Sequence, residues 1–320
     1  MKGKMVKKSV IAVLLIAAVV AAIVYVIPMA RNRNRNVAQG KQWLGLLQKH
    51  PVFSGKQPAY PVDVAFSYAS PADDNLRKLR DTYRLDTVAG SGSETDRIIN
   101  LMRWVYQLVG HDNLPEIPKE RNALNLIRLA KDKHMALNCA LKTDILNEVY
   151  LAMGFESRRT HLLPHSNEDE ESHYITSVYS RTLGKWILMD SDFGAYVTDK
   201  KGTILGVAEI RDRLISGAPM VVKSMDPPRG FFVETWSNIR NFIDGTSYLW
   251  YLRKNFFKIQ CPRDSFFGQP SQPGQVYFEL IPDGYRPELL QAPRVTETGR
   301  KIIFINDQGL FWQKPADQSL

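Results

Sequence analysis

Apolar residues recur every three to four positions in the middle of this chain and every second position after residue 159. The change of period marks where helices give way to strands. Ile98, Ile99, Met102, Val105, Tyr106 and Val109 form one helical face, and Ser93 with Asp96 ahead of it has capping-box spacing. A second helix is expected over Asn122–Lys131. A third follows Asn138, a good cap residue, with Leu141, Ile145, Val149 and Met153 four apart. Gly154 then offers the left-handed residue that commonly closes a helix. Tyr174–Ser180 alternates as a strand, Thr182-Leu183-Gly184 turns, and Lys185–Asp190 returns. Ala208–Ser216 reads as a short helix. From Gly230 onward the pattern is aromatic-rich strands and turns, ending in an expected hairpin of Lys301–Asn306 and Leu310–Lys314 around Asp307-Gln308-Gly309.

The amino-terminal part has another character. Val10–Ala30 is an almost unbroken apolar run, about the length of a bilayer-spanning helix and longer than the core of most signal peptides. It predicts an uncleaved membrane anchor with the remaining chain outside the cytoplasm; secretion after signal cleavage is the alternative. Basic residues flank it on both sides, so the positive-inside rule orients it only weakly. Arg31 to Gly55 is a polar linker with one short helix expected at Val37–Gln48, and Pro58–Pro71 alternates like a strand or extended arm. Gly90-Ser91-Gly92 lacks the Gly-Lys-Ser/Thr ending of a phosphate loop and reads as a plain turn. These shifts divide the chain into an anchor or signal segment at 1–36, a linker and arm at 37–92, a core at 93–225 and a β-rich extension at 226–320.

Charge adds less than its total suggests. The net +9 comes largely from residues 1–36, which hold seven Lys or Arg and no acid; the remainder has 35 basic against 33 acidic residues. The basic balance belongs to the flanks of the apolar run, and no nucleic-acid groove is implied. Two cysteines, Cys139 and Cys261, exclude a disulfide framework and a four-cysteine zinc site, though not a single bridge between them. His161, His165 and His173 with Glu168, Asp169 and Glu171 make a ligand-rich stretch, but Pro164 breaks a helical His-x-x-x-His face and the spacing fits no common metal site. No metal and no organic cofactor are expected.

Cys139 opens the third helix, where the partial positive charge of the helix dipole favours a thiolate. Such a nucleophile needs a base and a group that orients it. His173 starts one strand of the 173–190 hairpin and Asp190 ends the other, so antiparallel pairing brings imidazole and carboxylate side by side.

Cys139, Met153-Gly154-Phe155 with Arg158, His173 with Val178 and Tyr179, and Trp186 with Asp190 follow one another in the order of the transglutaminase-like superfamily motifs. The chain resembles that superfamily over residues 93–216. Trp104, Val105, His111 and Asp112, with the stretch around Cys261, resemble a bacterial subgroup of it. The resemblance implies an α+β, papain-like or transglutaminase-like fold: a cysteine-bearing helix on an antiparallel sheet. It implies a Cys139, His173, Asp190 triad that hydrolyses or transfers peptide or protein amides through a thioester. A non-catalytic domain binding protein or cell-wall material on the same scaffold is the other reading. Ser191-Asp192 stands where the family commonly has Pro-Thr, so Asp192 competes as orienting acid. Trp104 and His111 are the candidate side-chain oxyanion donors, beside the backbone N–H of Cys139.

Overall fold

A computed structural model describes residues 24, 27–108, 110–112, 116–224 and 247–316 of the protein. Val109, residues 230–246 and most of the apolar run Val10–Ala30 lie outside the described residues. In chain order the elements are α1 (Ile27–Lys49), β1 (Ser67–Tyr68), α2 (Asp74–Thr82), α3 (Leu85–Ala89), α4 (Glu94–Leu108), α5 (Ala123–Lys133) and α6 (Cys139–Ala152). Next come β2 (Ser157–Leu163), β3 (His173–Ser180), β4 (Lys185–Met189), β5 (Ala195–Thr198), α7 (Val207–Ser216) and β6 (Val221–Ser224). The last described part holds α8 (Tyr248–Asn255), β7 (Lys258–Pro262), β8 (Asp264–Ser265), β9 (Val276–Leu280), β10 (Arg294–Val295), β11 (Lys301–Ile305) and α9 (Gln308–Phe311).

The fold is α+β. Seven strands form one sheet in the order β10-β11-β9-β7-β2-β3-β4. Neighbours are antiparallel except β9 and β11, so the sheet is mixed rather than wholly antiparallel. Residues 281–300 between those two strands give the long connection that a parallel pair requires. Strands β7, β9 and β11 thus extend the same sheet that holds the β3–β4 hairpin.

Period-two alternation sorts the side chains. Val178, Ile187 and Met189 join the core built with α6, whereas Ile175 and Leu188 join the core that includes Ile210 of α7 and Leu252 of α8. Helix α6 is buried on every side, not along one stripe, because the sheet and α2, α4 and α5 surround it. Its two buried carboxylates are therefore paired, whereas the buried Thr143 hydroxyl has no partner among the described residues. Asp144 meets Arg121 and Arg159, each at 2.6 Å, and Glu148 accepts from the backbone N–H groups of Ala123 (2.7 Å) and Gly268 (2.8 Å).

Three local expectations are corrected. The short helix expected at Val37–Gln48 runs from Ile27 to Lys49, held by Trp43 against Trp250 with ring centroids 4.7 Å apart and by the Trp250 Nε1–H bond to Asn36 O. Within the linker-and-arm stretch, residues 74–89 form α2 and α3, whose Leu76, Leu79, Leu85 and Ala89 enter the α6 core; Asp73 caps α2 by accepting from the N–H groups of Asn75 and Leu76. The terminal hairpin keeps its first strand only. Asp307 accepts from Leu310 N at 2.9 Å and so caps helix α9 in place of a returning strand. Among the described residues no helix is long and apolar enough to cross a membrane.

Candidate active site

Cys139 is the first residue of α6 and is half-buried; Asn138 Oδ1 accepts from Leu141 N at 3.1 Å and fixes that helix end. His173 opens β3 and Asp190 follows the last residue of β4, so the hairpin register brings them together. His173 Nε2 lies 2.6 Å from Asp190 Oδ2, with side chains 1% and 0% exposed. Cys139 lies near enough to the same imidazole to contribute to the rise in its pKa. With Nε2 on Asp190, Nδ1 is the ring nitrogen not engaged by a carboxylate.

Asp190 is held from every side. Its Oδ1 accepts from Asp192 N (2.9 Å) and Phe193 N (3.0 Å), and its Oδ2 accepts from Tyr248 Oη–H at 2.9 Å as well as from the histidine. Burial alone raises the carboxyl pKa, but the His173 charge and these hydrogen bonds outweigh it and hold Asp190 below the ordinary value. Burial alone depresses the imidazole. The Asp190 charge and hydrogen bond outweigh it, with Cys139 adding to them, so His173 is held above its ordinary pKa. Phe193 and Tyr251 complete the surroundings, their ring centroids 5.4 and 5.3 Å from the imidazole.

The remaining candidates fall elsewhere. Asp192 turns to Lys142 Nζ (3.2 Å) and His111 Nδ1 (2.8 Å), so Asp190, not Asp192, pairs with His173. His111 lies in an isolated bridge with Leu137, two residues before the cysteine, and its Nδ1 is engaged by Asp192. Trp104 packs on Tyr83 with ring centroids 5.7 Å apart and against the α6 core. The Cys139 N–H stands in the first turn of α6, where no intrahelical acceptor reaches it.

Cys261 on β7 is fully buried, 3.4 Å from Thr160 Oγ1, and burial pushes its thiol up to about 11. Both cysteines are free thiols. In the ligand-rich stretch, His161 stacks on Tyr174 at 3.8 Å, and Asp169 and Glu171 both bind Lys254 Nζ, at 2.8 and 2.6 Å. Among the described residues no group of three His, Cys, Asp or Glu side chains is arranged to hold a metal ion.

Tyr248, Tyr251 and Phe193 escape a reading of the sequence. Ser247 followed by aromatic residues at 248, 250 and 251 signals a capped helix with aromatic faces, but nothing local says that one hydroxyl reaches Asp190.

No family model matches the chain, and no curated protein matches it. Among solved structures, a candidate cysteine protease from Cytophaga hutchinsonii aligns with a TM-score of 0.31 and 15% identity, over 50% of this chain and 50% of that one.

Proposed function

We infer that the protein is a transglutaminase-like thiol enzyme acting on peptide or protein amides, with Cys139 as nucleophile, His173 as base and acid, and Asp190 as orienting carboxylate. One observation carries this reading: a buried imidazole is clamped 2.6 Å from a buried carboxylate, and a half-exposed thiol at a helix start adds to the rise in its pKa. That clamp sets the tautomer and leaves Nδ1 free to take the thiol proton.

In the reaction His173 takes the thiol proton and the sulfur attacks the amide carbonyl carbon. The oxyanion forms against the Cys139 N–H. Collapse breaks the C–N bond as His173 returns the proton to the leaving amine, and a thioester remains on Cys139. Water then completes hydrolysis, or an amine completes transamidation; release of free acid against incorporation of a labelled amine separates the two. The chemistry needs no metal or organic cofactor.

The apolar run Val10–Ala30 with its basic flanks supports a single amino-terminal membrane anchor, the enzyme lying outside the cytoplasm. Carbonate extraction and protease protection of sealed cells test that placement. For the chemistry, iodoacetamide labelling of Cys139 is compared between wild type and His173→Ala at neutral pH. Loss of labelling in the variant is expected, and equal labelling excludes an activated nucleophile.

A further inference from the structure

On the side of α8 that faces α1, a cavity of about 220 Å³ lies between the two helices and the segment after β2. Trp43 and Leu46 of α1 and Phe257 after α8 give it an apolar wall. Arg253 gives it a charge. Its Nε is shielded from solvent and has no hydrogen-bond partner, and no carboxylate among the described residues pairs with its guanidinium. Lys254 and Asp169 also line the cavity, but Asp169 is paired with Lys254 at 2.8 Å and Lys254 also binds Glu171, so Arg253 is the lining cation without a carboxylate among the described residues. Arg253 is half-buried, and native structures rarely leave a shielded donor such as its Nε idle. Two further donors share the cavity. The Gln42 amide is one; the Ser166 hydroxyl is the other, since its oxygen accepts from Glu168 N and its proton stays available.

The geometry points to an occupant with two parts. A guanidinium fork matches a carboxylate or phosphate, and the apolar wall matches a ring or branched alkyl group. A cavity of about 150 Å³ accepts benzene, so 220 Å³ holds such a body with one anionic group and little more. A membrane lipid headgroup does not fit the placement. Gln42 and Leu46 lie 12 to 16 residues past Ala30 on one continuous helix, roughly 18–24 Å beyond the end of the apolar run.

We propose that this cavity binds a small organic monocarboxylate with an aromatic or branched aliphatic body, its carboxylate on Arg253 and its body against Trp43, Leu46 and Phe257. The site is separate from the one at Cys139, and its test needs no turnover.

Calorimetric titration of the full-length protein in detergent uses sodium benzoate, with inorganic phosphate as comparison. Saturable benzoate binding at about 10 mM or below is expected, with phosphate weaker by about 10-fold or more. Arg253→Gln weakens benzoate by about 10-fold or more while melting like wild type, because the guanidinium has no partner to lose. Leu46→Trp fills the cavity and removes binding with Arg253 in place. Absence of saturation, phosphate binding as tight as benzoate, or benzoate binding that survives both substitutions overturns the proposal.

Discussion

Replacing Asp190 with asparagine separates the orientation of His173 from the packing around it. The two side chains have nearly the same volume, and an asparagine Oδ1 keeps the N–H groups of Asp192 and Phe193 at 2.9 and 3.0 Å. Its amide nitrogen then stands where Oδ2 met His173 Nε2 at 2.6 Å and the Tyr248 hydroxyl at 2.9 Å. The opposite flip sets the amide against two backbone donors and is disfavoured. An amide N–H facing Nε2 forces the ring proton to Nδ1, and the imidazole no longer takes the thiol proton. Loss of a positioned base costs about 10²- to 10⁴-fold in rate. Iodoacetamide alkylation of Cys139 at pH 6.5 should therefore fall by about 10²-fold, and the deficit should close above about pH 8.5, where an unassisted thiol ionises. Stability should move much less. The lost charge-assisted hydrogen bond is worth about 1.5–3 kcal/mol, offset by removing a buried charge. What remains has a predictable pH course. His173 is raised, so its contribution is complete below 6.5 and fades as pH rises toward its folded value; Asp190 is lowered, so its contribution is complete above 3.8 and fades as pH falls toward its folded value. The wild-type advantage in urea melts should thus peak between those two pH values. Alkylation within about threefold of wild type at pH 6.5, in a variant that still melts cooperatively, refutes the orienting role.

Tyr248→Phe removes one of four donors from a buried carboxylate and should lower stability by about 1.5–3 kcal/mol in denaturant melts; a change under about 0.5 kcal/mol shows that the hydroxyl bond carries no weight. Arg158 lies fully buried between the rings of Phe66 (3.6 Å) and Trp186 (3.9 Å), with bonds to Tyr68 Oη and Phe311 O but an orphaned Nη2. Arg158→Met should therefore stay within about 1 kcal/mol of wild type, while Arg158→Lys, which keeps the charge and loses the planar stack, should cost about 2–3 kcal/mol; the reverse order in thermal melts contradicts this account. Burial pushes Glu148 up to about 8 against its two backbone hydrogen bonds, so the folded protein holds this proton more tightly than the unfolded chain. Relative to Glu148→Gln, wild-type stability should fall as pH rises from 4.5 to about 8, by up to about 1.4 kcal/mol per pH unit; a difference that is flat across urea melts in that range contradicts it.

The parts of the site written within a few residues of one another were legible before any fold was in hand. Asn138 caps Leu141 N, Ser93 and Asp96 bond each other reciprocally, and the 173–190 hairpin has the alternation that puts imidazole beside carboxylate. The groups that hold the site were not, because their partners are set by sheet order. Tyr248 reaches Asp190 across 58 residues. Lys142 reaches Asp192 from the helix, and the Arg158 sandwich needs rings from positions 66 and 186. Local rules also misled where two of them share a signature. Asp307-Gln308-Gly309 has the composition of a hairpin turn and also of a helix cap, and only the neighbouring chain decides. Phe311 settles the choice at 0% exposure: its ring meets Phe66 at 5.8 Å and its carbonyl accepts from Arg158 Nη1, a buried position that a cap at Asp307 supplies. The long polar helix α1 has the same kind of cause. Its own residues do not favour a stripe, so its extent depends on Trp250, and a tryptophan two hundred residues away is invisible to any window of fifteen.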